Sequence, residues 1–185
     1  MKILALAGSM RTDSFNRKLL AIAVAIAERE GATVDRADPR VLDIPLYDGD
    51  VEAASGPPAA ALALAARVAA ADALLIASPE YNYSVPGVLK NAIDQLSRVK
   101  PMPLRGKRAL LLSASLSLVG GNRGLWALRV PLEALGVHVS PDMFSLASAH
   151  EAMADGAVKD PLLAKLLDGM VVRWVAETKK LLAGS

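Results

Sequence analysis

Apolar positions along this chain alternate between two periods. "KILALA" at residues 2–7 is apolar at nearly every position and stops at Gly8-Ser9, as a strand buried on both faces does. "NRKLLAIAVAIAERE" then repeats its apolar residues at helical spacing up to Gly31, a suitable C-terminal stop. "ATVDRAD" predicts a second, weaker strand, and "IPLYDGDVEAASGPP" predicts an irregular segment rich in turn formers. An Ala- and Leu-rich helix is expected over 59–71, a buried strand at "DALLIAS" and a helix over 86–98. After the connector "VKPMPLRG", "KRALLLSAS" gives a further buried strand. "GLWALRVPLEALG" gives a helix that Pro131 should kink or start late, "VHVSPDMFSLA" a less regular last strand, and "PLLAKLLDGMVVRWVAETKKLLA" a closing helix.

This alternation predicts an α/β protein with a parallel sheet covered on both faces. Its spacing suits a flavodoxin-like, doubly wound five-stranded sheet in the order 2-1-3-4-5. Ligands of such sheets sit beyond the carboxyl ends of the strands, at the switch between strands one and three.

Composition narrows the picture. With 185 residues, 53% of them hydrophobic, the chain is expected to bury one core as a single domain over 1–185. Lys and Arg total 21 against 19 Asp and Glu, a formal charge of +2, too small and too scattered for a nucleic-acid surface. There is no cysteine, which removes disulfides, thiolate metal sites and a thiol nucleophile. The apolar run after Met1 is too short for a signal or membrane span, so a cytoplasmic protein without a membrane partner is expected.

Three loops at strand ends carry candidate chemistry. In the first, Ser9, Arg11, Ser14, Phe15 and Asn16 open a helix whose start presents unpaired N–H groups, a suitable cradle for a phosphate. A single helix cap is the plainer reading, but a cap needs one polar residue and this loop has six. The spacing is not that of the G-x-G-x-x-G dinucleotide turn, so it favours a monophosphate.

The second loop, "SPEYNYSVPG", places Pro79, Glu80, Tyr81, Asn82 and Tyr83 after strand three. The prolines stiffen it, the tyrosines offer ring faces to a flat ligand and Glu80 and Asn82 offer polar edges. A surface turn with Pro86 at a helix start would explain that proline and little else. Only three tyrosines occur, and two of them are here. The third loop, Ser113 to Asn122, has small hydroxyl residues and the pair Gly120-Gly121, which suit close approach to a ligand or a flexible connector equally.

Together, "GSMRTDSFNRKL", "IPLYDGDV", "SPEYNYSVPGVLKNAIDQLSR" and "VGGNRG" resemble the bacterial NADPH-dependent FMN reductase family, most closely its quinone and chromate reductase branch, over roughly residues 2–145. The resemblance implies a flavodoxin-like subunit with non-covalent FMN, oxidising NADPH or NADH and passing electrons to quinones, chromate, azo compounds or free flavin. It also implies a homodimer or homotetramer. Ser9, Arg11, Ser14, Phe15 and Asn16 would hold the FMN phosphate, Pro79 to Tyr83 would form the ledge for its ring, and Ser115 would meet the ring from the third loop. Ser117 departs from the glycine that related sequences often carry there.

The cofactors would perform the hydride chemistry, so no side chain is assigned to proton transfer and ping-pong kinetics are expected. The two histidines, His138 and His150, lack the neighbours of a metal site. An electron carrier of the flavodoxin type and a non-catalytic regulatory subunit are the rival readings; the near-neutral charge disfavours the first. Arg123 and Trp126 are candidates for a subunit interface, or else a surface cation and a core ring.

Overall fold

The computed structural model describes residues 1–184. Strands β1 (Lys2–Ala7), β2 (Thr33–Arg36), β3 (Ala73–Ala77), β4 (Arg108–Ala114) and β5 (His138–Leu146) form one sheet in the order β2-β1-β3-β4-β5, every neighbouring pair parallel. That order is the one the element pattern predicts.

Alternate side chains of each central strand explain the double cover. Ile3, Ala5 and Ala7 join Leu75, Leu110 and Leu112 on one face, under helices α1 (Phe15–Arg29) and α7 (Pro161–Ala183). Leu4 and Leu6 join Leu74, Ile76 and Leu111 on the other, under α3 (Ala59–Ala69), α4 (Gly87–Arg98) and α5 (Asn122–Ala134). Strands buried on both faces cannot alternate in polarity, hence the continuous apolar runs. Edge strand β2 is partly exposed, and its pattern is correspondingly weak.

Three expectations need correction. The segment over 44–58 is not wholly irregular, because Gly49–Ser55 forms the short helix α2. Asp48 caps it by accepting from the N–H groups of Asp50 and Val51, and Asp50 and Glu52 suit the positive end of its dipole. Helix α5 begins at Asn122, earlier than Gly124, and continues through the interior Pro131, which does not delay its start. Beyond β5, a short helix α6 (Ala149–Ala152) and the two-stranded ribbon β6 (Met153–Ala154) and β7 (Ala157–Val158) precede α7.

The edge strand is tied down by charge. Arg67 of α3 pairs with Asp35 of β2 through two contacts, at 2.6 and 3.1 Å, with both side chains under a third exposed. The Arg67 hydrogen bond is the chief cause that holds the Asp35 carboxyl below its ordinary 3.8. A carboxyl whose folded pKa is depressed adds stability above its unfolded pKa and loses it as pH falls through the folded one. Asp35→Asn is therefore expected to lower stability at pH 7 and to flatten its fall below about pH 4, as read by urea unfolding across pH.

Candidate functional site

At the switch point, the carboxyl ends of β1 and β3 deliver the first two loops into contact. The Gly8 N–H donates to the Ala77 carbonyl at 2.8 Å, and a Cβ at Gly8 would lie 3.1 Å from Leu89 and 3.2 Å from the Ser78 hydroxyl. Glycine therefore lets the loops abut. Between them opens a cleft of about 230 Å³ lined by Ser9, Arg11, Ser14, Phe15, Asn16, Pro79, Glu80 and Tyr81, with Ala114, Ser115 and Leu116 closing it from β4. Asn82 and Tyr83 are not among its walls.

The helix start in this cleft has donors to spare. Ser14 occupies the N-cap position of α1 yet its side chain makes no capping hydrogen bond, and no acidic residue stands in the first turn. N–H groups of a first helical turn have no intrahelical acceptor and carry partial positive charge. Arg17 braces the loop from outside by donating to the carbonyls of Arg11 and Thr12 at 3.3 and 3.2 Å. Its guanidinium is thereby spent on the backbone, and Arg11 is the arginine left at the cleft.

Two expected ligands prove to be structural pins through their side chains. The Asn16 amide is buried: its Nδ2 donates to the Ala114 carbonyl at 2.8 Å and its Oδ1 accepts from the Ala114 N–H at 3.0 Å. Asn16 thus fastens α1 to the end of β4, and its side chain does not reach for a phosphate. The Glu80 carboxylate accepts from Arg123 Nε at 2.9 Å and from the Gly124 N–H at 3.0 Å. It caps the start of α5, so the carboxylate of this cleft residue is already engaged. In return the bond to Glu80 raises the Arg123 pKa, keeping the cation charged.

At the tip of the second loop, Tyr81 and Ser84 exchange N–H to carbonyl bonds in both directions around Asn82 (φ 50°) and Tyr83 (φ 66°). Positive φ at both central residues marks a two-residue hairpin turn of the mirror-image kind. The Arg123 guanidinium covers the Tyr83 ring at 3.6 Å. In the third loop, Ser115 Oγ accepts from the Ser117 N–H and donates to its hydroxyl, both at 3.0 Å. The unexpected Ser117 thus stiffens this loop.

A wider groove of about 340 Å³ lies between α1 and the end of β2, lined by residues including Ala5, Leu20, Val24 and Pro39. Its arginines are committed, Arg17 to the loop carbonyls and Arg36 to Glu28 at 2.7 Å, and none of the residues expected to bind lines it. Size does not decide between the two; spare donors do. Away from both, Tyr47, Glu52 and Arg98 form a surface cluster, Tyr47 Oη donating to Glu52 at 2.9 Å and Arg98 pairing with Glu52 at 2.9 Å. Trp126 is 58% exposed, which excludes a core ring. Among the described residues no group of three potential metal ligands gathers, and no helix is long and apolar enough to cross a membrane.

A 2-1-3-4-5 parallel sheet with an anion-ready helix start and a stiff tyrosine turn at its switch point defines the flavodoxin-like α/β class. Within it, the chain belongs to the NADPH-dependent FMN reductase family, which matches residues 1–151. It is 46% identical over 133 residues to a quinone reductase of Escherichia coli, covering 70% of this chain and 68% of that one. Identity to an NAD(P)H-dependent FMN reductase of Pseudomonas aeruginosa is 40% over 169 residues, covering 90% and 89%. Among solved structures, the NAD(P)H:(acceptor) oxidoreductase FerB of Paracoccus denitrificans superposes with a TM-score of 0.83 at 31% identity, covering 97% of both chains.

Proposed function

We propose that this protein is an FMN-dependent NAD(P)H oxidoreductase that reduces quinones, with free flavin, azo compounds and chromate as further acceptors, by a ping-pong cycle. The observation that carries this reading is the meeting, at one switch point, of an uncommitted helix start with the Pro79–Tyr81 wall. The donor set fits FMN: one dianionic phosphate suits a helix N-terminus, and a flat ring suits a wall of proline, tyrosine and backbone.

Ser14 and the first-turn N–H groups of α1 would hold the phosphate, with Ser9 and Arg11 beside it. Pro79, Glu80 and Tyr81 would support the ring through backbone and ring faces, and Ser115 would close the far side. FMN, when bound, supplies the two-electron chemistry between a nicotinamide and an acceptor. The chain's own work is to orient the ring, keep one face open and exclude water from the other. No proton-transferring side chain is required of it. Because nicotinamide and acceptor would share the open face, the two substrates exclude each other, and parallel initial-rate lines are expected.

The subunit would act as a homodimer or homotetramer in the cytoplasm. Trp126 and Val130, one helical turn apart on α5 and 58% and 69% exposed, favour a covered face there. An electron carrier without its own NAD(P)H oxidation is the alternative, and the visible spectrum separates the two. FMN-loaded protein should bleach on anaerobic addition of NADPH or NADH, and slow or absent bleaching with both would sink the enzyme.

Ser14→Ala isolates the phosphate contact. The hydroxyl makes no cap bond, so stability should stay within about 0.5 kcal/mol, whereas a hydrogen bond to a charged group is worth about 1.5–3 kcal/mol. FMN affinity should therefore fall by about 10- to 100-fold, as measured by quenching of flavin fluorescence.

A further inference from the structure

The turn that walls the cleft holds a conformation its own residues do not favour. Asn82 tolerates positive φ, but a tyrosine at φ 66° is crowded through its Cβ. Such strain persists where surrounding structure over-determines it. The surrounding structure here is the start of α5. Arg123 Nη2 lies 2.8 Å from Glu80 Oε1, its guanidinium covers the Tyr83 ring at 3.6 Å, and the Gly124 N–H donates to Glu80 Oε2 at 3.0 Å. At Gly124 a Cβ would come within 3.0 Å of Glu80 Cα and Cβ, so helix and turn touch without a spacer.

We propose that Arg123 is a positioning residue for the flavin site: by gripping Glu80 and Tyr83 together it fixes the turn whose other side, Pro79 to Tyr81, walls the cleft. Its guanidinium does not line that cleft, so it acts only through the turn. The shape of the grip matters as much as its charge, because a planar guanidinium can stack on a ring while keeping its carboxylate contact and an ammonium cannot do both equally. This inference rests on the reading of the cleft as an FMN site.

The test compares wild type, Arg123→Ala, Arg123→Lys and Gly124→Ala. Amide hydrogen exchange is measured in flavin-free protein, and FMN affinity by titration. In Arg123→Ala, exchange at residues 80–84 should quicken by about 10-fold while amides of the central strands stay at wild-type rates. FMN should bind about 10-fold more weakly, with Arg123→Lys recovering part of both effects. Gly124→Ala keeps Arg123 but forces a methyl against Glu80; it should loosen the same five residues although alanine favours the helix.

Exchange and affinity within two-fold of wild type in Arg123→Ala would overturn the proposal. So would faster exchange spread evenly over the sheet, which would mark a general loss of stability. If Arg123→Ala does not fold, Arg123→Lys and Gly124→Ala carry the same comparison. Wild type that binds no FMN would refute the cofactor reading alone, since the exchange of the flavin-free turn still decides whether Arg123 holds it.

Discussion

Asn16→Asp is expected to destabilise the protein by about 3–5 kcal/mol at pH 7, among the largest effects of any single change near the cleft. The amide is 3% exposed and serves one backbone unit twice, donating to the Ala114 carbonyl and accepting from its N–H. Aspartate keeps the acceptor but sets a carboxylate oxygen against the carbonyl, and burial adds the cost of desolvating the charge. The variant carboxyl should respond by raising its folded pKa above the unfolded value of about 3.9. A carboxyl with a raised folded pKa is most stabilising when protonated, so the deficit should shrink as pH falls through the raised value. Urea unfolding at pH 7 and pH 5 reads both; a loss under about 1 kcal/mol at pH 7 would mean that Asn16 is not the pin described.

Gly121→Ala should cost at least about 3 kcal/mol, by the summed effect of backbone strain and overpacking. At φ 86°, Gly121 caps α5 in a left-handed conformation. An added Cβ would fall 2.0 Å from Ser113 Oγ and 3.0 Å from Ser113 Cβ, on a residue that is fully buried in β4. The hydroxyl can rotate, but the Cβ cannot retreat from a central strand. Ser113 Oγ has no hydrogen-bond partner, so Ser113→Ala alone should be neutral or slightly stabilising, and combined with Gly121→Ala it should recover only part of the loss. Thermal unfolding of the two single variants and the double variant separates clash from strain; full recovery in the double would remove the strain argument.

These two residues also show where the sequence is legible. β1, β3 and β4 declare themselves through unbroken apolar runs because both faces of the sheet are covered, and the strand order follows from strands alternating with helices. Helix α2 was readable as well: Asp48 with Asp50 and Glu52 is a helix-start pattern, hidden by Gly49 and the following prolines. Asn16 and Glu80 were not readable in the same way. Both have the residue type and position of a ligand, but their side chains are taken by partners 98 and 44 residues away, Ala114 and Gly124. A local pattern reports that polar groups are present at a strand end, and only tertiary contacts show which are already satisfied.

Gly120-Gly121 makes the same point from the opposite side. A glycine pair in a loop suggests room for a ligand, whereas Gly121 is needed to clear the Ser113 hydroxyl and Gly120 to clear the backbone of Ser145 to Ala147. Tyr83 is the reverse case: its aromatic ring suggested a flavin contact, and the structure places it under Arg123 with 68% of its surface exposed.

The most direct test of the central claim is a crystal structure of the protein grown with saturating FMN. The phosphate should lie on the first turn of α1 within hydrogen-bonding distance of Ser14, and the ring against Pro79 to Tyr81. Flavin density in the groove between α1 and the end of β2, or an empty cleft at the β1–β3 switch, would contradict the account.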